Sequence, residues 1–484
     1  MNESNQTIAV KKNATVKHLI IIAAAILALA LIVILPSPSG LSMQGKNTIG
    51  LAVFFLILLI GRPVPLPVAC MMLIAAMPFV SMVQAPDGGK PEIVGALAGF
   101  SNSVLYFTIA SFALSYAFVS VPLSNRILKF LLVRFAKSTK SLLLSMMVTG
   151  AIVSALISNI PGVALFIALS KNILKTIPDE NDKKRLGRAL MIGVIYADTI
   201  GGMATPAGSS LNMLAIGLLQ GATGITITFA QWMIVCLPLS LILLPIAWIV
   251  ILKIHKPVEL SREKLEECAR AIEVPEKMAM NELAFVIIFS VTLILWILSS
   301  WIPMLDVTMI AIISACICFL PGLNILSGKN FEDFAKWDVF FVQGTALSLG
   351  FAMINGGADK WFADLFLYAL PPLSPMLLVG ICAIFVFFML LLIPIAPAMI
   401  SIFAVQFISL AAAQTISPVP LIFVLALCTA NCYFLPLDSV PILGLETGYF
   451  SVPEMMKSSA ILQAVIVAML AVWIPFICRL IGVM

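Results

Sequence analysis

The chain has 484 residues, of which 61% are hydrophobic and 11% are charged, with a net charge of +5. Soluble domains are about 45–50% apolar and about 25% charged, so this composition excludes a soluble enzyme, a nucleic-acid-binding protein and a disordered chain. The mean hydropathy of +1.12 makes the lipid bilayer the solvent for most of the chain. With two histidines and with cysteines mostly in apolar runs, the sequence predicts no metal centre built from these residues and no organic cofactor.

Apolar runs long enough to enter a membrane predict about eleven transmembrane helices. They start near the N-terminus and recur along the chain, and no cleavable signal sequence is expected before Lys17. The runs cover residues 19–35, 48–60, 64–83, 104–121, 189–200, 225–254, 283–302, 307–320, 339–354, 421–434 and 460–481.

Two further apolar regions, residues 142–177 and 375–413, are interrupted near the middle by proline-containing breaks. The first break is Ser158-Asn159-Ile160-Pro161-Gly162 and the second is Pro394-Ile395-Ala396-Pro397. A kinked helix would explain one such proline. Because one interrupted region occurs in each half of the chain, we expect two re-entrant helical hairpins.

Lysine and arginine residues predict the orientation of the helices. With a cytoplasmic N-terminus, all of the 28 basic residues except Lys46, Lys90, Lys360 and Arg479 lie on the cytoplasmic side. The polar segment 253–280 is expected to form a short cytoplasmic helix that joins a first unit, residues 1–252, to a second unit, residues 281–484. The predicted fold class is therefore an all-α polytopic membrane protein.

The two halves carry the same order of features, which predicts an internal repeat. In each half a hairpin precedes a helix that is broken by glycine or proline, at Gly201–Asn212 in the first and at Leu435–Pro441 in the second. Each half has an odd number of crossings, so the second copy is inverted. Inverted repeats with paired broken helices are typical of secondary transporters, whose sites lie at the breaks near the midplane.

These motifs, taken in order, resemble the divalent-anion/sodium symporter family, which carries di- and tricarboxylates and sulfate. The resemblance covers nearly the whole chain and rests on Arg62–Val68, on Ser158-Asn159, on Gly201–Asn212, and on Leu435-Pro436 with Ser439 and Pro441. It implies a homodimer in a bacterial cytoplasmic membrane. It also implies a scaffold domain and an elevator-type transport domain that holds both hairpins and both broken helices.

The resemblance further implies which residues bind the coupling ion and the anion. A sodium ion would be held by Ser154, Ser158, Asn159 and Gly208. Asp438, which is not part of the family pattern, is predicted from its own chemistry as a further cation-binding residue. The small anionic substrate would be bound by Ser158, Asn159, Thr205, Ser209, Ser210, Ser439 and Pro441.

The chain departs from the family pattern at several of these positions. Ile160 replaces a threonine, and Pro394-Ile395-Ala396 replaces the second Ser-Asn-Thr signature, so a second sodium site is in doubt. The second broken helix instead gains Asp438, which aligns with Gly208. Asp438 is interpreted as a proton site, as a fixed cation ligand, or as a helix cap. Asp198 is either functional or a cap at a helix end.

The sequence thus predicts a secondary active transporter of a small divalent organic anion, of the di- or tricarboxylate type, coupled to sodium and, in one scheme, to protons. A sodium-independent anion exchanger and a sulfate transporter remain as alternatives. A membrane enzyme would need a nucleophile, a base and a metal site, which the motifs do not supply. A channel would need a continuous polar lining, whereas the polar residues cluster at two breaks.

Overall fold

The computed structural model describes residues 2–80, 93–157, 159–369, 371–393, 395–431, 433–436 and 438–483. Within these ranges the chain forms 22 α-helices, two short 3-10 helices at Ala98–Ser101 and Pro206–Gly208, and no strand. The α-helices are α1 (Asn2–Ile34), α2 (Met43–Gly61), α3 (Leu66–Val80), α4 (Ile93–Ala96), α5 (Ser103–Ser120), α6 (Leu123–Phe135), α7 (Thr139–Leu156), α8 (Asn159–Lys175), α9 (Glu180–Gly202), α10 (Ser210–Thr223), α11 (Phe229–His255), α12 (Arg262–Arg270), α13 (Met280–Leu298), α14 (Val307–Cys318), α15 (Asn330–Phe334), α16 (Trp337–Asn355), α17 (Ala358–Ala369), α18 (Pro375–Leu392), α19 (Ala396–Ala413), α20 (Val419–Ala430), α21 (Ser439–Leu445) and α22 (Val452–Leu480).

The helices confirm the prediction of a polytopic all-α protein. Ten described helices are long and apolar enough to cross a membrane, and three of these are the hairpin arms α7, α18 and α19. The other seven, with the shorter apolar helices α3 and α14 and the two broken helices, make up the eleven crossings expected from the sequence.

Both interrupted regions break where the prolines predicted it. Helix α7 ends at Leu156 and α8 begins at Asn159, while α18 ends at Leu392 and α19 begins at Ala396. The two later helices also break, so that α9 is separated from α10 and α20 from α21. Ser158, Pro394 and Leu437, which the sequence analysis includes in these breaks, lie outside the described residues.

The broken helix of each half packs against the hairpin and the broken helix of the other half. Helix α10 contacts α19 and α20, and α21 contacts α8 and α9 in the corresponding way. This reciprocal packing brings the two breaks into one central region, as the predicted repeat requires.

The polar segment 253–280 contains the amphipathic helix α12. Helix α11 continues through Lys253 to His255, because basic residues in a last turn interact favourably with the helix dipole. Helix α12 packs on α6, the basic arm that leads into the first hairpin.

A buried ion pair joins helix α6 to the second half of the chain. Arg126 on α6 binds Glu282 at the start of α13, with 3.0 Å between Nη2 and Oε2, and it also donates to the Lys277 carbonyl oxygen at 2.9 Å. The Glu282 side chain is completely buried. A buried carboxylate without a partner is strongly destabilising, so the arginine is needed for the fold.

We predict that Arg126→Ala lowers the free energy of unfolding by about 3–5 kcal/mol, because Glu282 then stays buried without its partner. The control is Lys140→Ala, which removes a pair with Glu259 that is 3.7 Å long and more than half exposed. That control should cost less than about 1 kcal/mol. Thermal unfolding of the purified protein measures both variants, and equal losses would contradict the assignment.

Candidate functional site

The break between α9 and α10 leaves backbone carbonyl oxygens without helical partners, and side chains supply the missing donors. Such groups cannot face lipid, so each needs a partner inside the protein. The donors are Ser240 Oγ to the Ile200 carbonyl (2.9 Å), Trp232 Nε1 to that of Met203 (2.9 Å), and Asn212 Nδ2 to those of Gly202 (3.0 Å) and Thr205 (2.9 Å). These bonds hold the break in one conformation, and only Asn212 belongs to a motif singled out from the sequence.

Thr205 fastens the break to the first hairpin. Its Oγ1 donates to the Ala155 carbonyl oxygen at 2.6 Å and accepts from the Gly208 amide at 3.0 Å. The hydroxyl predicted to bind substrate is therefore engaged within the protein in this conformation.

Several oxygen atoms converge where the hairpin meets the break. Ser154 Oγ donates to Asn159 Oδ1 at 3.1 Å. A Cβ built on Gly208 would lie 2.5 Å from the Gly202 carbonyl oxygen and 2.9 Å from that of Ser154, and one on Gly202 would collide with Asn159. Among the predicted sodium ligands, Ser154, Asn159 and Gly208 are thus brought together, while Ser158 is not among the described residues.

Asp198 on α9 joins this group of oxygen atoms. Its side chain is 1% exposed, and neither carboxylate oxygen has a hydrogen-bond partner among the described residues. The Ser154 side chain lies beside the carboxylate, and a Cβ on Gly162 would be 2.7 Å from Asp198 Oδ1. The sequence identified Asp198 as an acid inside a membrane span, but did not place it with the sodium ligands.

The predicted substrate ligands Ser209 and Ser210 lie at the start of α10. Ser209 Oγ accepts from the Leu211 amide at 3.3 Å, and the Ser210 carbonyl oxygen accepts from Gln343 Nε2 of α16 at 2.8 Å. A cavity of about 10 Å³ touches both serines. That is about the space that one water molecule needs, so a dicarboxylate reaches both serines only when neighbouring helices separate.

The second half differs from the first in the chemistry of its break. Ile393 and Ile395 make the described part of its hairpin tip apolar. Asp438 is half-buried at the N-terminus of α21, with its carboxylate beside the Ser439 amide. Ser439 is exposed and Pro441 is buried. The guanidinium of Arg62, at the end of α2, is near enough to Asp438 to interact electrostatically.

A pair of tyrosines joins the second break to the first. The Tyr433 hydroxyl binds Asn431, and Thr199 Oγ1 donates to it at 3.0 Å. The rings of Tyr433 and Tyr196 lie 4.8 Å apart between centroids. Sequence reasoning missed the contacts of Tyr433 with Thr199 and Tyr196, because these residues are more than 200 positions apart.

We predict that Gly202→Ala destabilises the protein by about 1–3 kcal/mol, because its methyl group would displace Asn159. Gly150→Ala is the matched control on α7, since its Cβ would make only an ordinary contact of 3.8 Å with Ala197. The control should unfold at the same temperature as the wild type or higher. A melting curve of Gly202→Ala that coincides with that of Gly150→Ala would show that the added methyl group does not displace Asn159.

Two solved structures of membrane transporters share the fold. MtrF of Neisseria gonorrhoeae aligns with a TM-score of 0.60 and 14% identity, covering 95% of this chain and 94% of that chain. The YdaH transporter of Alcanivorax borkumensis aligns with a TM-score of 0.54 and 17% identity, covering 80% of this chain and 87% of that one.

Relatives by sequence are also transporters. The sodium-dependent dicarboxylate transporter SdcS of Staphylococcus saprophyticus is 28% identical over 458 residues, 88% of this chain and 84% of its own. A protein of the same name from Staphylococcus aureus is 24% identical over 371 residues, 71% of this chain and 68% of its own. The family model described as the sodium:sulfate symporter transmembrane region matches residues 15–483. The protein is thus a transporter rather than an enzyme, and the chain belongs to the sodium:sulfate symporter family.

Proposed function

We propose that the protein is a sodium-coupled secondary transporter of a small dicarboxylate-like anion. The observation that carries the proposal is the group of oxygen atoms at the first hairpin, where Ser154, Asn159 and the carbonyl of Gly202 meet beside Gly208. The two relatives named SdcS are named as sodium-dependent dicarboxylate transporters, which supports the same substrate class and coupling ion.

The proposed sodium ligands are Ser154, Ser158, Asn159 and Gly208. Sodium is a hard cation that prefers oxygen ligands, as calcium and magnesium do. Hydroxyl, amide and backbone oxygens are the donors that this region offers. No group of three or more histidine, cysteine, aspartate or glutamate side chains in the described ranges is placed to hold a metal ion, which is consistent with a weakly held coupling ion.

The anion is proposed to bind across the hairpin tip and the starts of α10 and α21. Helix N-termini favour negative charge, and Asn159, Ser209, Ser210 and Ser439 add polar donors there. None of these donors is a lysine or arginine, so an affinity in the micromolar to millimolar range is expected.

Transport is proposed to move the hairpins and broken helices, together with α11, which is bonded to the first break, as one unit against a scaffold of the remaining helices. Helix α10 faces α5 and α16 at Gly217, since a Cβ there would lie 3.0 Å from Val104 and 3.5 Å from Leu347. We also propose that the protein is a homodimer and that its N-terminus lies on the cytoplasmic side of the membrane.

We predict that reconstituted protein takes up a labelled C4-dicarboxylate faster in sodium than in choline buffer at the same pH. It should also exchange internal for external substrate, as a carrier does. Asn159→Ala should abolish uptake, while Asn172→Ala at the exposed far end of α8 should leave it unchanged. Equal rates in sodium and choline favour the exchanger, and a preference for sulfate over dicarboxylates favours the sulfate alternative.

Asp438 is proposed to take the place of the missing second sodium ligands. It lies in the break of the second half, at the N-terminus of α21, which supports the proposal. If it carries a proton, Asp438→Asn should remove the dependence of uptake on a pH gradient and leave exchange intact. If it is a fixed ligand, the same change should weaken cation activation. Unchanged rate, pH profile and sodium dependence would rule out both roles.

A further inference from the structure

We infer that the Asp198 carboxylate is a direct ligand of the sodium ion at the first hairpin, and supplies the negative charge that the neutral donors lack. The inference rests on the proposed function and adds a residue to its cation site. It rests on three features of Asp198: its burial without partners, its position among other oxygen atoms, and its distance from basic side chains.

The first feature is the burial of a carboxylate without hydrogen bonds. Asp198 is 1% exposed, and both of its oxygens are buried and unpartnered among the described residues. An ionised group inside a membrane protein is costly unless it is paired or coordinates a cation. Such a carboxylate is therefore a functional candidate by default.

The second feature is its position. The carboxylate lies beside the Ser154 side chain, whose hydroxyl donates to Asn159 Oδ1 at 3.1 Å. It also faces the first turn of α8 at Gly162. The ends of α7, α8 and α9 thus present oxygen atoms to the same small volume, and the fourth segment, at Gly208, adds backbone oxygens.

The third feature is the distance from Asp198 to the basic residues of the described helices that pack around it. Helix α9 packs against α7, α8, α11, α21 and the 3-10 helix 206–208, and the last two carry no basic residue. In the other three and in α9 itself, the basic residues lie at least nine positions along the helix from the site, which is about 13 Å or more at a rise of 1.5 Å per residue. They are Lys140, Lys171, Lys175, Lys183, Lys184, Arg185, Arg188, Lys253 and His255. A cation from solution is therefore the partner that fits.

A helix cap explains Asp198 less well. It stands one turn before the C-terminus of α9, where the helix dipole disfavours negative charge. The N-terminus of α8 favours such charge, but its described amides make no hydrogen bond to either oxygen. Asp438 differs from Asp198 in its burial and in its charged surroundings, because it is half-buried and has Arg62 as a basic neighbour.

The test measures sodium binding without substrate, by thermal unfolding of the full-length protein in detergent. Sodium chloride replaces choline chloride at constant ionic strength. Wild-type protein should become more stable as sodium rises, and Asp198→Asn should raise the half-saturating sodium concentration at least tenfold. In choline alone, Asp198→Asn should melt at or above the wild-type temperature, because it removes a buried charge. If Asp198 were only a helix cap, Asp198→Asn would not raise the melting temperature.

Asp179→Asn is the matched control on the same helix. Asp179 caps the start of α9 by accepting from the Asp182 amide at 2.8 Å, and asparagine caps equally well, so its sodium response should match that of the wild type. If Asp198→Asn is not recovered folded, Asp198→Ser carries the same expectation.

The outcomes separate the ligand assignment from the proposed function. Equal sodium half-saturation in wild type and Asp198→Asn overturns the assignment, even if uptake is sodium-dependent. Absence of any sodium response in the wild type overturns it as well. Sodium binding that is lost in Asp198→Asn supports the assignment, even if uptake proves equal in sodium and choline and the proposed coupling fails.

Discussion

A helix that breaks inside a membrane exposes backbone donors and acceptors in a place where water cannot satisfy them. The break after α9 meets this constraint with side chains from its neighbours, chiefly Trp232 and Ser240 of α11 and Asn212 of α10. Thr205 adds a bond to the hairpin arm α7. Because these bonds join the break to α7, α10 and α11, these three helices and α9 cannot shift separately without leaving a buried carbonyl unpaired. The same bonds that permit a binding site inside the bilayer therefore make its surroundings a rigid body.

The sequence predicted the features that depend on local backbone chemistry. Proline and glycine inside apolar runs indicated both hairpins and both broken helices, because these residues weaken a helix, although Pro238 and Pro245 lie inside the continuous helix α11. The sequence did not predict contacts between distant residues. The pairing of Arg126 with Glu282 and the contact of Tyr433 with Thr199 depend on tertiary packing that no local pattern records.

The candidate site shows the same division. The Ser-Asn pair at the hairpin tip and the glycine-rich break could be located from their residue types, and the structure places Asn159 against Gly202. The engagement of the Thr205 hydroxyl could not be anticipated, because it depends on the carbonyl oxygen that happens to face it. The significance of Asp198 likewise depends on its carboxylate having no hydrogen-bond partner among the described residues, which only a three-dimensional arrangement can show.

The two halves share the same order of hairpin and broken helix, but their polar residues are distributed unequally. The first break gathers neutral oxygens and a buried carboxylate, whereas the described tip of the second hairpin is formed by Ile393 and Ile395. A cation bound at the first break would contact the end of α7, the start of α8 and the end of α9 together. Without it, the Asp198 carboxylate faces other oxygen atoms, and their mutual repulsion works against the position that Asn159 occupies. Since Asn159 is also a proposed ligand of the anion, sodium binding would precede and prepare anion binding. Coupling would then arise from the order of binding, because the substrate ligand takes its place only once the carboxylate has its counter-charge.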